Sequence, residues 1–277
     1  MRRYLLFCPL VAIVLLAACN GRGQSHTTND LDTLSADTLV ADFFDEDFST
    51  VVVPKAADEL FDDFIFNFAG NRKLQRERIV FPLLTEQNGQ QTYLSRSQWK
   101  MEHFFMRQGY YILLFDSERH MEIVKDTSIT RAIVEKIIFD EGTIQQYVFN
   151  RIRGTWMMTS IHKIPLTQSH NATFFAFYHQ FACDPDFQAN HLEKTVGFEG
   201  PDPDDDFSQM EGIITSDTWE AFAPQLPSKS LYNIVYGRPE QEGNQKIYVL
   251  RGIANGLELQ MTFRRRGDTW RLSKLIT

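Results

Sequence analysis

Lys136, Thr143, Gln145, Tyr147, Ser160 and His162 are the side chains in this sequence whose types and spacing could do chemistry. An ammonium, three hydroxyls, a carboxamide and an imidazole can together hold a small polar ligand by hydrogen bonds. An imidazole next to a phenol could also move a proton. The six fall in stretches where apolar and polar residues alternate with period two, the pattern of a half-buried strand. Placed on one sheet face among Phe149, Trp156 and Met158, they would form an apolar cavity with a few convergent polar groups, the usual make-up of a ligand pocket. As sealed core they would be costly, because each unpaired polar group buried loses about 1–3 kcal/mol. The opposite face, with Ile133, Ile137, Phe139, Ile144 and Val148, is equally apolar, so a one-residue register change would turn the polar set to solvent.

The grouping comes from comparing the chain with itself. Phe61, Phe64 and Phe68 match Phe174, Phe177 and Phe181 at an offset of 113. Phe149 and Trp156 match Phe263 and Trp270 at 114, as Gly142 matches Gly256. Trp99 matches Trp219 at 120, with Gly200 to Asp206 as a candidate insertion. Transferring positions by these offsets sets Lys136, Gln145 and Tyr147 against Leu250, Leu259 and Met261 of the second copy. Thr143, Ser160 and His162 fall against Leu257, Lys274 and Ile276. The second copy is nearly all apolar at these places, so the first is expected to bind and the second to be structural.

Each copy must supply elements to position these residues. Phe61, Phe64, Ile65 and Phe68 follow helical spacing, with Asp58 and Glu59 expected in the first turn, where the helix dipole favours anions. Further helices are expected over Arg72–Ile79 and Ser97–Arg107. Leu257, Leu259, Met261 and Phe263 then alternate with polar residues as a strand. Asn255-Gly256 predicts a two-residue hairpin, in which Leu250 faces Met261 and Gly252 faces Leu259. Helices followed by antiparallel strands give an α+β class. This order, with the Phe-rich helix and the terminal Phe…Trp hairpin, resembles the nuclear transport factor 2-like fold, in which helices pack on a curved antiparallel sheet as a cone. The resemblance implies two tandem cone-like domains, 57–165 and 166–277.

Other constellations are weaker. Asp202, Asp204, Asp205 and Asp206 offer oxygens for calcium but lack the glycine and distal glutamate of an EF-hand loop. His179 and Cys183 are too few ligands for zinc. Ser160 and His162, two apart in one strand and without a nucleophile elbow, do not make a hydrolase triad by sequence. No cofactor and no metal is expected, and no catalytic residue is assigned.

The N-terminus reads as an address. Arg2 and Arg3 precede an apolar run over Leu5 to Ala17 that is short for a bilayer span. Leu16-Ala17-Ala18-Cys19 resembles the bacterial lipobox, which implies a signal peptide over 1–18, lipid on Cys19 and a protein anchored to a membrane rather than spanning it. Residues 19–56 form an acidic tether whose composition cannot bury enough surface to order itself. Cys183 is then the remaining free thiol. The formal charge of −8 becomes −10 without Arg2 and Arg3, which excludes a basic nucleic-acid surface. Lipobox, tether and body together resemble an uncharacterised family of Bacteroides-type lipoproteins. The expected function is periplasm-facing, non-catalytic binding of a small molecule or an envelope partner; the alternative is an isomerase- or hydrolase-type enzyme with its pocket in the first domain.

Overall fold

The computed structural model describes residues 58–202, 205–238 and 243–277. The expected signal peptide, Cys19 and the tether lie outside the described residues, as does part of the Asp202–Asp206 run.

Phe61–Gly70 (α1) and Arg72–Glu77 (α2) precede β1 (Ile79–Gln87), β2 (Gln90–Leu94) and β3 (Tyr110–Phe115). The short α3 (Glu118–Met121) leads to β4 (Arg131–Ile138), β5 (Thr143–Ile152) and β6 (Thr155–Pro165). The same order then returns without a counterpart of α3 among the described residues: α4 (Ala172–Cys183), α5 (Pro185–Asn190), β7 (Leu192–Asp202), β8 (Asp205–Ile214), β9 (Ser230–Tyr236), β10 (Gln245–Gly252), β11 (Glu258–Arg266) and β12 (Thr269–Ile276). The class is α+β, dominated by sheet.

The two halves do not carry separate sheets. Among the described residues all strands join one 12-stranded sheet in the order β2-β1-β6-β5-β4-β9-β3-β10-β11-β12-β7-β8. This corrects the expectation of two cones each with its own sheet. The sheet is also mixed rather than antiparallel: β1 runs parallel to β6, β12 to β7 and β3 to β9. Its centre is an exchange. β3 pairs with β10 of the second half, and β9 pairs with β4 of the first. Equivalent strands that meet in parallel are related by a rotation about the strand direction, which turns the sheet over. The helices therefore cover opposite faces. Ala132 and Val134 of β4 enter the core under α1 with Ile247 and Val249, while Ile137, Tyr248 and Leu250 enter the core under α4.

Each helix forms because its aromatic stripe has a matching floor. Phe61 lies edge-on to Trp156 at 5.0 Å and Phe149 at 5.4 Å; Phe174 lies edge-on to Trp270 at 5.6 Å and Phe263 at 5.4 Å. Such pairs add about 0.5–1.5 kcal/mol each beyond the area they bury. A second repeated device locks the following turn. Gln75 Nε2 donates to Phe68 O at 2.9 Å while its Oε1 accepts from Trp99 Nε1 at 3.2 Å. Gln188 does the same with Phe181 O at 2.7 Å and Trp219 Nε1 at 3.0 Å.

Local expectations need three corrections. The first turn of α1 holds Asp62 and Asp63; Asp58 and Glu59 precede the helix, and the Asp58 carboxylate pairs with Arg78 at 2.8 and 2.9 Å. Only Phe104–Arg107 of the expected third helix is helical, as a short 3-10 turn. The hairpin near Asn255-Gly256 is longer than two residues, so Leu250 faces Leu259. A slip of two residues keeps every side chain on its face, and Leu250, Leu259, Met261 and Phe263 share the core under α4 as expected.

Candidate functional site

The six predicted residues divide between the two faces of the sheet. In β4 and β5, Lys136 is opposite Gln145, Val134 opposite Tyr147 and Ile138 opposite Thr143. Lys136, Thr143, Gln145 and Tyr147 therefore lie on the face under α1. Ser160 and His162 do not. On β6 the register jumps from Phe149↔Met158 to Val148↔Ser160, leaving Thr159 as the extra residue of a bulge. A bulge reverses the alternation beyond it, so Ile161 turns inward and Ser160 and His162 turn to the other face. Thr159 fixes the bulge by accepting from Asn150 Nδ2 at 2.6 Å and donating to Val148 O at 3.3 Å. The same bulge recurs in β12 at Ser273, where it sends Leu275 rather than Ile276 into the core.

Under α1 the polar residues converge on Glu102, which the sequence reading missed. The buried Tyr147 hydroxyl donates to Glu102 Oε2 at 2.9 Å and accepts from Gln145 Nε2 at 2.6 Å. Tyr232, from β9 of the second half, donates to Glu102 Oε1 at 3.4 Å, and the Phe104 amide donates to the same oxygen at 3.2 Å. Lys136 Nζ lies 5.5 Å from the centre of the Tyr232 ring, within cation–π range. Gln75 holds the Glu102 backbone in place: its Nε2 donates to Glu102 O at 2.6 Å and its Oε1 accepts from Glu102 N at 3.1 Å. Phe104 adopts a φ of +49°, uncommon for a bulky residue, and its ring meets Tyr147 edge-on at 4.8 Å. Thr143 stands apart, donating to Glu141 at 3.3 Å.

Burial, then the charge of Glu102, holds the Tyr147 hydroxyl far above the ordinary phenol range; Tyr232 is raised for the same reasons in the same order. Both phenols stay protonated at neutral pH. The cluster is suited to presenting fixed donors and acceptors to a ligand, and its phenols do not give up protons readily. Glu102 was legible at the Trp99–Trp219 offset, since its counterpart there is Phe222, and that of Tyr232 is Ile112.

The other face carries a polar row that runs across the sheet. Glu86, His162, Gln146, Glu135 and Asn233 are successive partners on β1, β6, β5, β4 and β9. Glu135 is buried and accepts from Gln146 Nε2 at 2.9 Å and Asn233 Nδ2 at 3.0 Å. Desolvation raises its carboxyl, with the two amides and the more distant His170 opposing. At the outer end Ser160 Oγ is 2.8 Å from His162 Nε2, and His162 Nδ1 is 3.8 Å from Glu86 Oε2. No group of metal-ligating side chains occurs among the described residues.

Comparison with known proteins gives a fold and a family. A domain family described as a domain of unknown function, DUF4348, matches residues 40–277. An NTF2-like protein from Bacteroides fragilis NCTC 9343, solved by crystallography, is 40% identical, covers 81% of this chain and 98% of its own, and superposes with a TM-score of 0.73. No curated protein matches.

Proposed function

We propose, for a chain that belongs to the DUF4348 family and has an NTF2-like fold, that it is a binding protein whose ligand sits at the Glu102 cluster. The observation that carries this reading is the difference between its halves. The cluster under α1 gathers Glu102, Lys136, Gln145 and Tyr147 of the first half with Tyr232 from the exchanged β9, whereas their equivalents are Phe222, Leu250, Leu259 and Met261 of the second half with Ile112 from the exchanged β3. One ancestral unit, copied in tandem and joined through exchanged strands, accounts for the repeated Gln–Trp link and the repeated bulge. After such a copying, the half that needed only to fold could keep an apolar interior. The polar residues gathered under α1 serve recognition.

The N-terminal sequence supports the rest of the proposal: processing at Cys19, a lipid anchor, a tether over 19–56 and a body that faces the periplasm. Ligand screening by thermal shift tests the site. A panel of small carboxylates, amines and sugars should include a compound that raises Tm in the wild type. The shift should be lost in Tyr147→Phe and kept in Met261→Leu. A compound that stabilises the wild type and Tyr147→Phe equally would place binding elsewhere.

A further inference from the structure

We propose that Ser160, His162 and Glu86 form a hydrolytic site for short-chain esters on the sheet face opposite the Glu102 cluster. The arrangement has the order that acyl transfer requires, with the correct imidazole nitrogen towards each partner. Ser160 Oγ is 2.8 Å from His162 Nε2, and His162 Nδ1 looks towards Glu86 Oε2 at 3.8 Å. With the ring proton on Nδ1, Nε2 is free to accept from the serine.

The fold builds this arrangement from three features. The bulge at Thr159 turns Ser160 and His162 out of the core. The parallel pairing of β1 with β6 then sets Leu84 beside Ser160 and Glu86 beside His162. Gln91 of β2 donates to Glu86 Oε2 at 3.1 Å and steadies that carboxylate. The His162 and Glu86 side chains are 30% and 35% exposed, so the polar side of the site is open to solvent. Ser160 itself lies in an apolar row, between Leu84 on β1 and Val148 on β5, with Ile133 beyond. Ser160 is itself only 8% exposed, so a short ester has to reach it past the exposed His162 and Glu86 side chains.

The second half supplies an internal control. Its equivalents of Glu86, Ser160 and His162 are Glu199, Lys274 and Ile276, and they make an ordinary surface ion pair, Lys274 Nζ to Glu199 Oε2 at 3.0 Å. The sheet needs nothing more than that at these positions. The first half keeps the acid and adds a nucleophile and a base.

The chemistry balances without a cofactor. Ser160 Oγ attacks the ester carbonyl carbon while His162 Nε2 takes the serine proton. The C–O bond to the alcohol breaks, and His162 returns the proton to the departing oxygen. Water then attacks the acyl-serine with His162 again as base, releasing the carboxylic acid and restoring Ser160. Glu86 is a positioning residue that orients the imidazole.

The test uses the full chain with p-nitrophenyl acetate as substrate and a fluorophosphonate as label, read by peptide mass spectrometry. Ser160 should carry the label, and Ser160→Ala should carry none there. His162→Ala and His162→Gln should each lower hydrolysis by about 10²-fold or more, the contribution of a positioned general base. Glu86→Gln should lower kcat with KM unchanged, and Glu86→Asp should restore part of it. Absence of label on Ser160, or hydrolysis that survives both His162 variants, would overturn the proposal. Neither result touches the Glu102 cluster, which lies on the other face.

Discussion

Replacing Glu135 by Gln should stabilise this protein at neutral pH and leave it nearly unchanged near pH 4. Glu135 is 5% exposed, and no cation is among its hydrogen-bond partners in the described residues. Burial raises its carboxyl above the unfolded value; the amides of Gln146 and Asn233 and the distant His170 offset this only in part. The sign follows from linkage. A carboxyl raised on folding contributes its full stability below the unfolded pKa of about 4.3 and loses it as pH climbs through the folded value. The ionised carboxylate is desolvated and only partly compensated, a cost the neutral amide avoids, so Glu135→Gln should gain about 1–3 kcal/mol at pH 8, the range for a buried polar group left incompletely paired. The structure gives the new amide a partner as well. Asn233 Oδ1 is buried and accepts no hydrogen bond among the described residues, so it can receive from the amide nitrogen introduced at 135. Urea unfolding of the wild type and the variant from pH 4 to pH 8 measures the effect as a difference, in which the titration of other carboxyls cancels. Parallel curves, or a variant less stable than the wild type at pH 8, would refute the reasoning.

Two further outcomes follow from the packing. Gln75→Ala should cost about 3 kcal/mol in urea unfolding, because it removes both donors and acceptors from a buried group that ties Phe68, Trp99 and Glu102; Gln188→Ala, with fewer ties, should cost about 2 kcal/mol on the same scale. Expressed separately, residues 58–165 and 166–277 should each fail to give a cooperative unfolding transition, whereas the two fragments mixed should recover one by circular dichroism, since each lacks the central strand it receives from the other.

Much of the framework was legible because its signals are local. The Phe61/Phe64/Phe68 stripe and its copy at Phe174/Phe177/Phe181 needed only helical spacing, and Phe149/Trp156 with Phe263/Trp270 marked the floor beneath each. The polar character of the first half also came through, since Lys136, Gln145 and Tyr147 are on the expected face. The bulge was not legible. Thr159 and Ser273 look like any strand residues, and their function lies in a side-chain bond to a carbonyl on the neighbouring strand. That single extra residue moved Ser160 and His162 to the opposite face. The exchange of β3 and β9 left only an indirect mark. Tyr110 to Phe115 is an unbroken apolar run, as befits a strand buried on both faces, but a run of that kind does not name its neighbours.

The exchange decides how the two polar centres relate. Tyr232 and Asn233 are consecutive residues of β9, so their side chains leave the sheet on opposite faces. Tyr232 reaches Glu102 in the core under α1, and Asn233 reaches Glu135 on the reverse. Both residues arrive from the second half, and neither centre is complete within the first. A duplicated unit whose halves shared no strand could lose the second copy and keep its site. Here the second half holds in place the strand that finishes the Glu102 cluster on one side and anchors the Glu135 row on the other. Its apolar interior therefore fixes where Tyr232 and Asn233 stand, and with them the geometry of both polar centres.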